Sequence, residues 1–549
     1  MTSRLFSAVA ALLLISTCIT ASAGIPATAP VHSTPLSPGA EPMQTGTFQP
    51  TWESLQQYQV PEWYQDAKFG IWAHWGPQCQ PEDGDWFARG MYMQGDGQYN
   101  FHVWKYGHPS VAGFKDILPL WTADKWDPEK LVARYKDAGA KFFVAMAGHH
   151  DNFDNWDSKY QPWNAVAMGP KKDIIGGWAK AARDNGLPFG VTMHQSHAWT
   201  FYEVAQGTDS KGDKKGVPYD GKMTKADGTG KWWNGLDPQD LYAQNHTPGK
   251  LNWDWSPKTG TLPDDAYSEK FYNRALDLIN KYHPDLLYFD DTVLPLYPAS
   301  DVGLKIAAHF YNSNSLWHNG QNQGVLTGKL LDDTEKKCMV WDIERGAAHE
   351  IEPVIWQSET CIGNWHYDRG LHNAHTYGKS PMVIRTLADV VSKNGIFLLN
   401  IPVRGDGTID EQEEEIVKNV GHWMKTNGEA IYATRPWKVY GEGPSVKKSG
   451  SDKDASFNIG KTAMGASDIR FTKKGDVLYA IVLGWPKDAL VIHSLGAKAG
   501  LLDGTIQDVS LLGSSDKVDW KQDDDAVTIQ APAKKLFDEA AVYKFTLKP

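Results

Sequence analysis

The chain has few cysteines, no basic surplus and no second long apolar run, and each shortage excludes something. Only Cys79, Cys338 and Cys361 lie beyond the N-terminal segment, too few and too scattered for a disulfide framework or a zinc knuckle; one pair at most could bridge. Lys plus Arg total 55 against 66 Asp plus Glu, a net charge of −11, which argues against nucleic acid as a partner. Past residue 23 no stretch supplies the roughly 18 uninterrupted apolar residues of a membrane helix, so no membrane partner is expected. The one apolar run, residues 8–19, follows Arg4 and precedes Ala21-Ser22-Ala23. That order predicts a signal peptide over residues 1–23 and a secreted or periplasmic protein. Thr17 ahead of Cys18 is too bulky for a good lipoprotein box.

Tryptophan is abundant: there are 24. Large aromatics fill cores, and a surplus among loops also suits the apolar faces of sugar rings. Residues 24–49, rich in Pro, Thr, Ser and Ala, read as a disordered linker. Over 50–436, short apolar runs alternate with capped amphipathic helices, the pattern of βα units around a parallel sheet. Strand-like runs cover 68–74, 142–147, 188–194, 284–291, 339–344, 355–359 and 396–400. Helices are predicted from Asp127-Pro128 to Gly139 and over 173–185, 264–282, 380–393 and 409–426. A polar stretch of about 206–257, carrying Trp232, Trp233, Trp253 and Trp255, reads as a functional rim. Over 437–549 the helical period disappears and alternating runs joined by Lys473-Lys474-Gly475-Asp476 predict an antiparallel β-sandwich.

Chemistry gathers at the ends of these runs. The most informative is Pro284-Asp285-Leu286-Leu287-Tyr288-Phe289-Asp290-Asp291, an apolar strand delivering two carboxylates at its carboxyl end. In a (β/α)8 barrel that end carries the reaction. His74, His149, His150 and His194 close other runs, and Glu344 and Glu359 end two more. Two acidic groups ringed by imidazoles suit carboxylate nucleophile or acid/base work such as glycoside hydrolysis.

These segments resemble the α-L-fucosidases of glycoside hydrolase family 29. The resemblance is carried, in order, by Lys68-Phe69-Gly70-Ile71-Trp72-Ala73-His74-Trp75-Gly76, His149-His150-Asp151-Asn152-Phe153, Leu287-Tyr288-Phe289-Asp290, Trp365-His366-Tyr367, Asp389-Val390-Val391-Ser392-Lys393-Asn394-Gly395 and Asn427-Gly428-Glu429-Ala430-Ile431-Tyr432. It implies a (β/α)8-like barrel with a C-terminal β-sandwich, and hydrolysis of terminal α-L-fucose from oligosaccharides or glycoconjugates, with retention, through a covalent fucosyl-enzyme. It also implies Asp290 as nucleophile, Glu344 as acid/base with Glu359 as its competitor, and Glu350 and Glu352 as loop residues. Trp72, His74, Asp85, Trp86, His149, His150, His194, Tyr288 and Trp365 are implied to bind the sugar; no metal or cofactor is implied. Three departures stand out. Asp291 replaces a usual Gly and could crowd the nucleophile with a second charge, Asp85 has a shorter arm than the usual Glu, and the expected substrate-binding Arg has no counterpart.

Two other readings compete. A metal-dependent barrel hydrolase could use the histidines and Asp290 as ligands, although the first strand carries a single His and no bridging Lys is evident at a strand end. A catalytically weak fucose-binding homologue would account for the departures.

Overall fold

Eight short strands, buried along nearly their whole length, close into one parallel barrel in sequential order: β1 Phe69–Ala73, β2 Phe142–Gly148, β3 Phe189–Met193, β4 Leu286–Phe289, β5 Val325–Gly328, β6 Val340–Glu344, β7 Trp356–Cys361 and β8 Gly395–Asn400, with β8 pairing back onto β1. The computed structural model describes residues 31–249, 261–446 and 457–548. Strands apolar on both faces suit a sheet with a packed interior and helices outside. The helices start where their caps predict. Asp127 caps α1 Pro128–Asp137 through Lys130 N at 3.0 Å, Asp173 caps α2 Ile174–Asp184 through Gly176 N at 2.9 Å, and Asp264 caps α3 Asp265–Tyr282 through Tyr267 N at 2.8 Å. Further along, α4 Val302–Trp317 and α5 Ser380–Ser392 pack on the barrel, and α6 Glu411–Asn427 opens with a capping box of Asp410 and Glu413.

Two sequence expectations need correction. Strand β5 and helix α4 were not anticipated: β5 is four residues long, follows the polar stretch 319–324, and shares only two registered pairs with β6. The described part of the expected disordered linker, 31–49, is ordered against α3 and α4. Its backbone nitrogens at Glu41, Gln44 and Phe48 donate to Asn273 Oδ1, His309 Nδ1 and Asn312 Oδ1 at 2.8, 2.9 and 2.9 Å, and Ser33 Oγ donates to Asp301 at 2.9 Å. Composition that forbids a helix does not forbid a strand-free coil whose polar backbone is satisfied by helix side chains. The expected signal peptide, residues 1–23, lies outside the described residues.

The C-terminal region folds as two antiparallel sheets over one core. Strands β9 Arg435–Glu442, β10 Ile469–Lys474, β11 Val477–Val482, β13 Thr505–Leu511 and β16 Ala541–Lys548 form the larger; β12 Leu490–Ile492, β14 Trp520–Gln522 and β15 Val527–Ile529 form the smaller. This region is fastened to the barrel by buried polar contacts. Arg470 Nε meets Asp389 Oδ1 at 2.6 Å, Trp423 Nε1 donates to Ala540 O at 3.0 Å, and Ser380 Oγ donates to Glu539 at 2.7 Å. Burial would raise the Asp389 carboxyl, but Lys393 and Arg470 hold it down to about 2.

One barrel contact is unusually tight. Gly70 of β1 faces Phe142 of β2, and a Cβ at Gly70 would meet that ring at 2.3 Å. Gly70→Ala is therefore expected to destabilise by roughly 1–3 kcal/mol through overpacking, read as a lower denaturation midpoint; an unchanged midpoint contradicts the packing described.

Candidate active site

Side chains alternate inward and outward along a strand, so Tyr288 and Asp290, Asp342 and Glu344, and Gln357 and Glu359 reach the barrel interior as pairs two residues apart. At the carboxyl end the strands deliver, in turn, His74 after β1, His149 and His150 after β2, His194 after β3, Asp290 after β4, Lys329 after β5, Glu344 as the last residue of β6 and Glu359 within β7. All converge on one mouth.

The centre of the cluster is Lys329, which the sequence reading missed. Its Nζ lies 2.6 Å from Asp290 Oδ1, 2.8 Å from Glu344 Oε2 and 3.3 Å from Glu359 Oε1. Burial works against its charge, but these carboxylates keep its pKa well above the ordinary lysine value. Burial likewise opposes ionisation of Asp290; Lys329 and His194, with hydrogen bonds from His150 and His194, outweigh it and hold the carboxyl well below its usual range. His194 Nδ1 is 3.0 Å and His150 Nε2 3.3 Å from Asp290 Oδ2. Deeper in the barrel the balance reverses. Glu359 is buried with one oxygen accepting from Tyr288 OH at 2.7 Å, and burial, then the Asp342 charge, push its pKa well above the carboxylate range. Asp342, which accepts from Gln357 Nε2 at 2.7 Å, is pushed up to about 7 by burial. The side chains of Asp290 and Glu344 are 24% and 28% exposed, against 1% for Glu359, so only the first two can meet an incoming molecule.

The imidazoles line one wall. His74 touches the rings of His149, His194 and His366 at centroid distances of 4.9, 5.0 and 4.6 Å, and Trp72 packs against Tyr288 and Trp365 at 5.7 and 5.4 Å. Burial drives His74 and His149 well below the ordinary histidine value and His194 down to about 4, so these three are neutral. Both ring nitrogens of His74 and Nε1 of Trp72 are buried without a hydrogen-bond partner among the described residues. His366, fully buried within this wall, is a second residue missed; it sits inside the Trp365-His366-Tyr367 motif from which only Trp365 was taken.

Other candidates sit differently from expectation. Asp291 turns away from the mouth, accepting from Thr292 N at 2.8 Å and Leu296 N at 3.3 Å, with His197 at 3.4 Å; it shapes the loop after β4 and does not crowd Asp290. Asp85 accepts from His366 N at 2.7 Å and so holds the histidine wall in place. Trp86, in the left-handed region at φ 61° and 38% exposed, presents its ring edge-on to His150 at the rim. Within the expected rim, Trp232 is exposed and bonded to Asp116 at 2.9 Å, whereas Trp233 is buried; Trp253 and Trp255 lie outside the described residues. Cys79, Cys338 and Cys361 are all free thiols.

Two triads, His74–His149–His366 and His149–His150–His194, bring ligand atoms within 4.8 Å of one another and could hold a metal ion. The sequence argument that no lysine stands at a strand end is wrong, since Lys329 directly follows β5. Its chemistry is nonetheless unlike a metal-bridging lysine. Such a residue must lose its proton to be carboxylated, and Lys329 is held protonated by three carboxylates.

A family model described as alpha-L-fucosidase matches residues 36–429, and one described as alpha-L-fucosidase C-terminal domain matches 464–548. An alpha-L-fucosidase of Branchiostoma floridae is 27% identical over 88% of this chain and 92% of its own length. The tissue alpha-L-fucosidase of Homo sapiens is 26% identical over 91% of each. The crystal structure of the Thermotoga maritima alpha-fucosidase superposes with a TM-score of 0.64 at 24% identity, covering 91% of this chain and all of that one; isoenzyme 1 from Paenibacillus thiaminolyticus gives 0.60 at 19%, again over 91% and all. These two likenesses carry the fold.

The raised carboxyl of Asp342 ties stability to pH. Its folded-state value of about 7 exceeds the unfolded one of about 3.9, so its stabilising contribution is complete below about pH 4 and is lost as pH rises through 7. Asp342→Asn should therefore flatten the decline of the denaturation midpoint across that window, gaining up to a few kcal/mol relative to wild type at pH 8. Parallel midpoint-against-pH curves for the two proteins would contradict a neutral Asp342.

Proposed function

The chain belongs to the alpha-L-fucosidase family, a family of glycoside hydrolases, and from that premise we propose that it removes terminal α-L-fucosyl residues from glycans by double displacement. Asp290 Oδ attacks the anomeric carbon while Glu344 gives its proton to the departing oxygen, leaving a fucosyl ester on Asp290. Glu344, now a carboxylate, takes a proton from water, the water oxygen attacks the same carbon, and the ester bond breaks to free fucose and Asp290.

The observation that carries this reading is the shared ammonium. With 2.6 and 2.8 Å to one nitrogen, the facing oxygens of Asp290 and Glu344 can be no more than about 5.4 Å apart, which is compatible with the retaining spacing of about 5–5.5 Å and closer than the roughly 6.5–9.5 Å of an inverting pair. Lys329 keeps Asp290 ionised for attack and supplies the cation for which the sequence offered no Arg. Glu344 is favoured over Glu359 as acid/base because it alone combines exposure with that spacing. The unpartnered nitrogens of His74 and Trp72 suit the sugar hydroxyls, and Trp365 suits an apolar sugar face. A cleaved leader over residues 1–23 and action outside the cytoplasm belong to the same proposal; N-terminal sequencing of the exported protein tests them.

Asp290→Ala should lower kcat/KM on an aryl fucoside by on the order of 10³-fold or more, with azide giving a fucosyl azide of inverted configuration. Glu344→Ala with azide should give the retained azide, and Glu359→Ala should not respond. Retained product from Glu359→Ala would transfer the acid/base role to Glu359, and full activity of Asp290→Ala would remove Asp290 as nucleophile; a wild type without turnover would leave the fucose-binding reading, and loss of wild-type activity to a chelator the metal-hydrolase one. Removing the cation has its own signature: Lys329→Gln should raise the Asp290 pKa and so move the acid limb of kcat/KM to higher pH. An unmoved acid limb would show that another group governs it.

A further inference from the structure

The segment that carries Glu344 is gripped from outside the barrel. In the connection between β9 and β10 of the C-terminal region, Phe457 N donates to the carbonyl of Glu344 at 3.3 Å and Ile459 N to that of Arg345 at 3.1 Å. Between them Asn458 holds Ala347 twice, accepting from its N–H and donating to its carbonyl, both at 2.8 Å. The base of this connection is pinned by Arg470, which bonds Asp389 at 2.6 Å and Ser445 Oγ at 2.8 Å. Four hydrogen bonds to residues 344–347 and a buried ion pair make a built interface.

Phe457 stands out within it. Its φ of 51° lies in the left-handed region, where a bulky side chain is strained and where a functional reason is to be sought. The residue is 45% exposed and belongs to neither hydrophobic core. It neighbours the residue that would protonate the leaving oxygen, and the leaving sugar must lie on that side of the mouth.

We propose that Phe457, brought to the barrel mouth by the C-terminal domain, forms the leaving-group subsite, taking the apolar face of the pyranose ring to which fucose is joined. Asn458 is a positioning residue that fixes Phe457 beside Glu344. The domain thus contributes to choice of substrate as well as covering the barrel. The inference rests on Glu344 as acid/base in a fucosidase.

The test compares a substrate that has a leaving sugar with one that has none. Full-length wild type, Phe457→Ala and Phe457→Trp are assayed on a fucosylated lactose and on α-L-fucosyl fluoride. The ratio of kcat/KM for the first substrate to that for the second should fall about fivefold to tenfold in Phe457→Ala, mainly through KM, and recover in Phe457→Trp. A ratio that stays at the wild-type value in Phe457→Ala overturns the proposal, with the thermal denaturation midpoint of each variant reporting folding. Wild type inactive on both substrates would remove the fucosidase reading itself, and this inference with it.

Discussion

One buried ammonium organises this active site. Lys329 faces Asp290, Glu344 and Glu359 directly, with Asp342 just beyond. A single cation cannot keep four close carboxylates ionised in a water-poor barrel, because each uncompensated charge carries a desolvation cost of several kcal/mol. The protein divides them by depth. Asp290, at the mouth and partly open to solvent, is held ionised, while the two below are driven towards their neutral forms. Asp290 ends up ionised because it has two further donors, His150 and His194, that its neighbours lack.

The histidine wall follows the same logic. Packed ring against ring and buried, His74, His149 and His194 are disfavoured as cations by burial and by one another. Neutral imidazole offers a donor and an acceptor, which matches a sugar hydroxyl better than imidazolium does. His194 of this wall also bonds Asp290, beside Lys329.

Much of this was legible in the chain because the signals were local. Apolar runs, six of them leading to His, Asp or Glu and one to Asn400, showed seven of the eight strands and most of the polar groups at the mouth, since the end of a barrel strand must open on the mouth. Lys329 escaped because its strand is four residues long and leaves almost no pattern; Val325-Leu326-Thr327-Gly328-Lys329 becomes informative only once an eighth strand is required to close the barrel. His366 escaped because a motif was read for its aromatic and not for the ring beside it. The linker was misread because its order comes from Asn273, His309 and Asn312 on distant helices, which composition cannot register.

By itself the sequence determined what is carried along the backbone: strand and helix periods, caps, the carboxylate or imidazole at each strand end, and the ordered motifs of a family. Tertiary structure decided everything that depends on distance across the barrel. It set which carboxyl groups share a proton-bearing partner, turned Asp291 away from Asp290 although the two are adjacent, and brought Phe457 against Glu344 from more than a hundred residues away. The physical reason is that covalent order fixes local geometry within a few residues, whereas charge, desolvation and contact act through space.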